Sequence, residues 1–233
     1  MTSLDKTTVS QNPKLNNPKT LEVMTRVLKA NANEAAANRA CFDDMNLLTI
    51  NLMSGPGSGK TTLLETTAQK ADFSFGVIEG DLETERDAER LQKLGVRAYQ
   101  IMTGTSCHLD AKMVQKAIPQ LGLDGLQVLF VENVGNLVCP ASYDLGTHLN
   151  VVLLSTPEGD DKVLKYPVMF RTADLVLVTK AELAPMFDFS IDRVRSEVKQ
   201  LKPEIETIAL SAKTGEGFDA WLDFVKSHLK GAK

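Results

Sequence analysis

Residues 54–62 run Ser-Gly-Pro-Gly-Ser-Gly-Lys-Thr-Thr, a composition and order suited to holding nucleotide phosphates. Gly55, Gly57 and Gly59 allow backbone N–H groups to turn inward around phosphate oxygens, and a helix opening at Lys60 adds the positive end of its dipole. Lys60 then reaches the β- and γ-phosphates, the Thr61 hydroxyl binds Mg²⁺, and Ser58 and Thr62 complete the cradle. Ser54 stands where such loops usually open on glycine. The other reading, a glycine-rich turn that binds nothing, is disfavoured by the apolar strand before it and the helix after it.

A phosphate loop needs carboxylates beside it to hold Mg²⁺ and sense the γ-phosphate. Two acidic segments end apolar runs: Glu79-Gly80-Asp81 and Glu132-Asn133-Val134-Gly135-Asn136. Asp81 is expected to be the moving carboxylate near Mg²⁺ and the attacking water. Glu132 is expected to be the fixed one, with the Gly135 N–H facing the γ-phosphate; the lesser role for either acid is to cap a helix or turn. Further on, Thr179-Lys180-Ala181-Glu182 and Ser211-Ala212-Lys213 follow two later apolar runs. Their order resembles the guanine-reading elements of P-loop GTPases, with two departures: Thr179 replaces the usual Asn, and Glu182 replaces the usual Asp. Guanine is therefore the expected base.

A third constellation joins Cys107-His108 to Cys139, which lies seven residues beyond Glu132. Two copies of an adjacent Cys-His pair across a two-fold axis would supply two thiolates and two imidazoles, a set that suits tetrahedral Zn²⁺ or square-planar Ni²⁺. A helix starting near Cys107 would favour its thiolate. Cys139 would move with the segment that senses the γ-phosphate. A buried Cys beside a capping His is the plainer alternative. Cys41, His148 and His228 show no partners in the sequence.

These residues must be positioned by a scaffold, and its pattern is regular. Apolar runs at 47–53, 75–79, 96–101, 126–131, 149–155, 174–179 and 205–210 alternate with helical stretches at 60–71, 84–94, 109–121, 190–201 and 217–229. That alternation predicts an α/β, doubly wound, mainly parallel sheet of about seven strands with helices on both faces, whose ligands bind beyond the carboxyl ends of the strands. Leu21, Met24, Val27 and Leu28 recur at helical spacing and predict a further helix at about 19–40, either a packing helix or a lid or dimer contact. Residues 1–18 are expected to form a flexible arm, leaving 19–233 as one domain. With 233 residues, 43% hydrophobic and 24% charged, the chain can bury a core without disulfides. A net charge of −4 offers no basic field for nucleic acid or an anionic membrane. Three cysteines, no secretory leader and no long apolar run point to a cytoplasmic protein.

The segments EGDLETERDAERL, GTSCHLDA, VENVGNLVCPASYDLG, PEGDDKVLKYPVMF and LSAKTGEGFDAWL, in this order after the phosphate loop, resemble the hydrogenase nickel-incorporation GTPases, the HypB family, over about residues 20–229. The Cys-His-Leu-Asp-Ala and Gly-Asn-Leu-Val-Cys-Pro-Ala segments are the most discriminating. The resemblance implies a P-loop NTPase of the SIMIBI class that hydrolyses GTP slowly and forms a homodimer in the GTP-bound state. It implies a Ni²⁺/Zn²⁺ site on Cys107, His108 and Cys139, and nickel delivery with an accessory protein to the hydrogenase large subunit. Residues 1–40 contain no Cys and no His, so the nickel-storing N-terminal motifs of some members are absent from this segment. Three other readings are a urease-type nickel GTPase, whose metal motif is usually Cys-Pro-His, a P-loop small-molecule kinase, and a metal-binding module with a vestigial nucleotide site.

Overall fold

The structure is a computed structural model that describes residues 18–81 and 86–229. The arm expected at 1–18 lies outside these residues except for Pro18. Seven strands form one sheet: β1 Leu48–Ser54, β2 Phe75–Asp81, β3 Arg97–Met102, β4 Val128–Glu132, β5 Leu149–Ser155, β6 Leu175–Thr179 and β7 Glu206–Ala209. Their order is β3-β2-β4-β1-β5-β6-β7, and every pairing is parallel. The chain fills one edge, returns through β4 to the place beside β1, then builds outward through β5 to β7. The carboxyl ends of β1, β2 and β4 therefore converge near the centre, where open α/β sheets form their ligand crevice.

The helices are α1 Pro18–Asp44, α2 Lys60–Lys70, α3 Arg86–Lys93, α4 Ala111–Leu121, the short α5 Lys162–Lys165 and α6 Pro167–Arg171, α7 Ile191–Leu201, and α8 Phe218–Ser227. Alternation along each strand divides the core. Leu48, Ile50 and Leu52 of β1 face a continuous apolar layer with Leu63 and Leu64 of α2, Leu91 of α3, and Trp221 and Val225 of α8. The opposite face holds two separate clusters. One joins Val152, Leu154, Val176 and Val178 to Val163, Phe170 and Val194. The other joins Ile78, Leu129 and Val131 to Phe42, Val114 and Leu121.

A polar seam separates them. On that face β1 presents Thr49 and Asn51, both fully buried. The Asn51 Nδ2 donates to Asn150 Oδ1 at 3.0 Å, and its Oδ1 accepts from Asn133 Nδ2 at 3.2 Å. At the amino end His148 is not partnerless: its Nδ1 accepts the Thr49 N–H at 2.9 Å and its Nε2 lies 3.3 Å from Asp43 Oδ1.

Helix α1 runs four residues past the expected end, to Asp44. Its second half docks through buried Ala35 and Phe42, and through Asn38, whose Nδ2 donates to the carbonyls of Ala111 and Leu145 at 2.8 and 3.0 Å. Its first half leaves Leu21, Val23, Met24 and Val27 exposed, so both edge-packing and solvent-facing character occur in one helix. Among the described residues no helix is long and apolar enough to cross a membrane.

Gly146 and Gly217 are each fixed by both conformation and space. Gly217 enters α8 at φ +69°, and a Cβ there would lie 2.0 Å from the Ala209 carbonyl oxygen. Gly217→Ala should destabilise the protein by well over about 1 kcal/mol, because both the left-handed backbone and the steric contact oppose it; a urea titration with an unchanged midpoint would contradict this.

Candidate functional site

Strand β1 delivers its last residue, Ser54, into the phosphate loop, and α2 begins at Lys60 with Gly59 ahead of it at φ +92°. Lys60 is 8% exposed. Its Nζ donates to Ser54 Oγ at 3.0 Å and lies 4.0 Å from Glu132 Oε1. The unusual serine thus supplies an acceptor for the lysine ammonium. Thr61 Oγ1 is within hydrogen-bond distance of two carboxylates, Glu132 Oε1 at 3.1 Å and Asp87 Oδ2 at 3.2 Å. Asp87 comes from α3 and was not singled out in the sequence, where it lies within a highly charged helix.

The loop is braced on three sides. Thr179, in the position of the usual Asn, donates through Oγ1 to the Ser58 carbonyl at 2.7 Å, and Lys180 Nζ donates to the Gly57 carbonyl at 2.8 Å. Lys180 adopts φ +55°, a left-handed conformation that non-glycine residues hold only where surrounding contacts enforce it. From the 3-10 turn after β5, Glu158 Oε2 accepts from Ser58 Oγ at 2.7 Å and from the Ser155 N–H at 2.9 Å. Its Oε1 stands where a Cβ on Gly55 would be, 2.2 Å away. On the third side a Cβ on Gly135 would meet Pro56 Cα at 2.8 Å, so the segment after Glu132 lies directly against the loop.

These elements enclose a cavity of about 420 Å³ whose lining includes Gly57, Gly59, Lys60, Thr61, Thr62, Glu79, Asp81, Asp87, Arg90, Glu132, Gly135 and Lys180. Gly55 instead lines the neighbouring hollow with Pro56, Asn136 and Lys162. Glu182, Ser211, Ala212 and Lys213 lie outside the cavity lining. Their segments are nevertheless joined, the Ala181 N–H donating to the Leu210 carbonyl at 3.1 Å. Glu182 Oε2 is buried without a hydrogen-bond partner.

The cavity is acid-rich. Glu79 and Glu132 pair across β2 and β4 and point to the same side. Burial, then the Glu132 charge, pushes Glu79 up to about 8. Burial pushes Glu132 up to about 7, against the opposing pull of Lys60 and Thr61. Glu79 Oε2 and Glu132 Oε2 are buried without hydrogen-bond partners. Such oxygens, with the Thr61 hydroxyl, fit a hard divalent cation such as Mg²⁺, which takes oxygen ligands and would draw off both protons. Arg90 also lines the cavity, held by Glu65 at 2.9 and 2.6 Å and by Asp87 at 2.9 Å.

The second cluster lies beside the first. Ligand atoms of Cys107, His108 and Cys139 are all within 4.8 Å of one another. Cys107 Sγ donates to Cys139 Sγ at 2.8 Å, and the His108 ring stacks on Tyr143 with centroids 3.9 Å apart. Burial lowers the His108 pKa, keeping the imidazole neutral and able to ligate. The close Cys107 thiol, then burial, raises the Cys139 pKa. One chain brings the three expected ligand atoms together. One expectation changes. Helix α4 starts at Ala111, and Asp110 caps it by accepting the Met113 N–H at 2.7 Å, which leaves Cys107 outside the first turn and its dipole. The loop carrying Cys107 is anchored at the first site, since the Thr103 N–H donates to the Asp81 carbonyl at 2.9 Å and Thr103 Oγ1 to the Ser106 carbonyl at 2.9 Å.

The family model described as CobW/HypB/UreG, nucleotide-binding domain, matches residues 48–209. The hydrogenase/urease maturation factor HypB of Helicobacter hepaticus is 48% identical, covering 94% of this chain and 91% of the relative. The hydrogenase maturation factor HypB of Escherichia coli K12 is 46% identical over 92% of this chain and 75% of that protein. A crystal structure of HypB from Helicobacter pylori in complex with nickel superposes with a TM-score of 0.83 at 44% identity, covering 88% of this chain and 99% of that one.

The raised carboxyls predict a pH dependence. Between about pH 5 and pH 8 the folded, metal-free and nucleotide-free protein holds protons on Glu79 and Glu132 that the unfolded chain has released, so stability falls as pH rises through that window. Glu79→Gln should flatten the slope and raise the melting temperature at pH 8; an identical slope in native protein and variant would contradict the assignment.

Proposed function

The chain belongs to the CobW/HypB/UreG family and is a HypB-type maturation factor with a P-loop nucleotide-binding domain, and from that premise we propose that it is a metal-binding GTPase that uses GTP hydrolysis to control nickel delivery during [NiFe]-hydrogenase maturation. The observation that carries this reading is the placement of Cys107 and His108 on the loop after β3, which Thr103 ties to the Asp81 carbonyl at the end of β2, against Cys139 on the loop that continues from Glu132. A metal cluster tied to two phosphate-sensing segments is the arrangement expected of a nucleotide-gated metal carrier. Nickel is the substrate handled, and Zn²⁺ suits the same donors.

In the proposed cycle, Lys60 leaves Ser54 for the β- and γ-phosphates, while the N–H groups of Gly57, Ser58 and Gly59 surround the phosphate chain. Mg²⁺, when bound, neutralises charge developing on the phosphate oxygens. Thr61, Glu132 and Asp81 supply oxygens around it, and Asp87 gives up its hydrogen bond with Thr61. Asp81 orients the attacking water. Gly135 approaches the γ-phosphate and shifts the segment leading to Cys139. Glu182 accepts from the guanine edge, the Lys180 stem covers the base, and the Ala212 N–H meets its oxygen. Hydrolysis is slow in isolation, since none of these groups places a strong base on the water. The GTP-bound form pairs as a homodimer, and nickel passes through an accessory protein toward the hydrogenase large subunit in the cytoplasm. The relatives named for both hydrogenase and urease favour one second reading, in which the same chemistry also serves a urease.

The test measures Ni²⁺ affinity and oligomeric state together, with GDP and with a non-hydrolysable GTP analogue plus Mg²⁺. Native protein should dimerise with the analogue and change its nickel affinity, Cys107→Ala should lose at least about 10-fold in that affinity, in line with loss of a metal ligand, and Lys60→Ala should lose GTP hydrolysis. Hydrolysis by Lys60→Ala at the native rate, or nickel affinity indifferent to Cys107, would sink the assignment.

A further inference from the structure

The two loops that carry the metal ligands meet at one buried side-chain amide. Asn133 is fully buried and directly follows Glu132. Its Oδ1 accepts the Leu109 N–H at 3.1 Å and the Val134 N–H at 3.0 Å. Its Nδ2 donates to Asn51 Oδ1, and the Asn51 amide is in turn fixed by Asn150, so the seam holds Asn133 in one orientation. Leu109 directly follows His108 and is fully buried. It fills the space over Gly80, where an added Cβ would lie 2.7 Å from its side chain. Gly80 stands between Glu79 and Asp81. The backbone just beyond His108 is therefore hydrogen-bonded to the residue after Glu132 and packed on the residue before Asp81.

Resting on the nucleotide-gated reading above, we propose that Asn133 and Leu109 are the positioning residues through which nucleotide state sets the geometry of the Cys107–His108–Cys139 cluster. A ligand arriving against Gly135 displaces the segment that begins at Asn133. The amide must then either carry the Leu109 N–H along or leave a buried donor unpaired, which is costly. Close packing over Gly80 prevents Leu109 from absorbing the change by itself, because packed interiors rearrange between discrete arrangements rather than deforming smoothly. Movement at either carboxylate-bearing strand end thus alters the distance between His108, carried by Leu109, and Cys139, carried by the 134–138 segment. Asn136, whose Nδ2 donates to the Cys107 carbonyl at 3.4 Å, gives a longer second tie between the same two loops.

Coupling between the sites is the ratio of Ni²⁺ dissociation constants with GDP and with a non-hydrolysable GTP analogue plus Mg²⁺, read by competition with a chromophoric chelator. Native full-length protein, Asn133→Ala, Leu109→Val and the double variant are compared, with nucleotide affinity and thermal melting measured on each. The expected result is a native ratio well away from one that collapses toward one in each single variant, with nickel affinity in the GDP state retained to within about threefold and the double variant no worse than either single one, as for residues acting as one unit. A folded Leu109→Val with the native ratio would overturn the proposal, and this variant decides if Asn133→Ala fails to fold. A native ratio of one would instead remove the gating reading itself, and this proposal with it.

Discussion

A lysine ammonium buried at the carboxyl end of the central strand has to be neutralised, and the working end of the sheet is organised around that requirement. Lys60 relies on the Ser54 hydroxyl and a distant Glu132 carboxylate. The cavity around it also contains Arg90 and Lys180 on the positive side, and Glu79, Asp81, Asp87 and Glu132 on the negative side. With every acid ionised the lining would carry an excess of negative charge, which the raised pKa values of Glu79 and Glu132 relieve by retaining protons. A polyphosphate would meet these carboxylates at close range, so a cation bound beside it would lower the electrostatic cost of its entry.

The same requirement explains why the loop is held so firmly. Backbone N–H groups serve as phosphate donors only if they already point inward, and Thr179, Lys180, Glu158 and Gly135 fix them from three directions. Thr179 illustrates how a departure from a family pattern can preserve its role: its hydroxyl reaches the Ser58 carbonyl from the strand end. Rigidity on the phosphate side leaves the acidic side, with Asp81 and Asp87, as the part able to respond.

Much of this was legible in the chain. Near-continuous apolar runs such as LQVLFV and DLVLVT can only be buried parallel strands once helical periodicity separates them, and the predicted strands agree with the structure to within two residues at each end. Lys60, Thr61 and Glu132 followed from their fixed spacing to a strand end. Asp87, Glu158 and Asn133 did not. Asp87 sits among many charges on a short helix. Glu158 acts on the phosphate loop from 100 residues away. Asn133 matters through hydrogen bonds that depend on sheet order. The placement of Cys139 beside Cys107 likewise required β4 to return next to β2, a consequence of topology that no local pattern encodes. Polar residues within a strand were the one available hint: Thr49 and Asn51 interrupt an otherwise apolar run and mark the seam.

That seam has a mechanical consequence. Because amides and a histidine separate the two clusters on one face of the sheet, the half carrying α1 and α4 and the half carrying α5 to α7 share no continuous apolar contact on that side. Oil-like cohesion, which resists any opening in proportion to area, is replaced along this line by a short row of directional bonds that can be exchanged one at a time. The two halves are thus joined differently on the two faces: by a row of directional bonds, running from the foot of the sheet to where Asn133 lies beside the phosphate cavity, on one, and by a continuous apolar layer on the other.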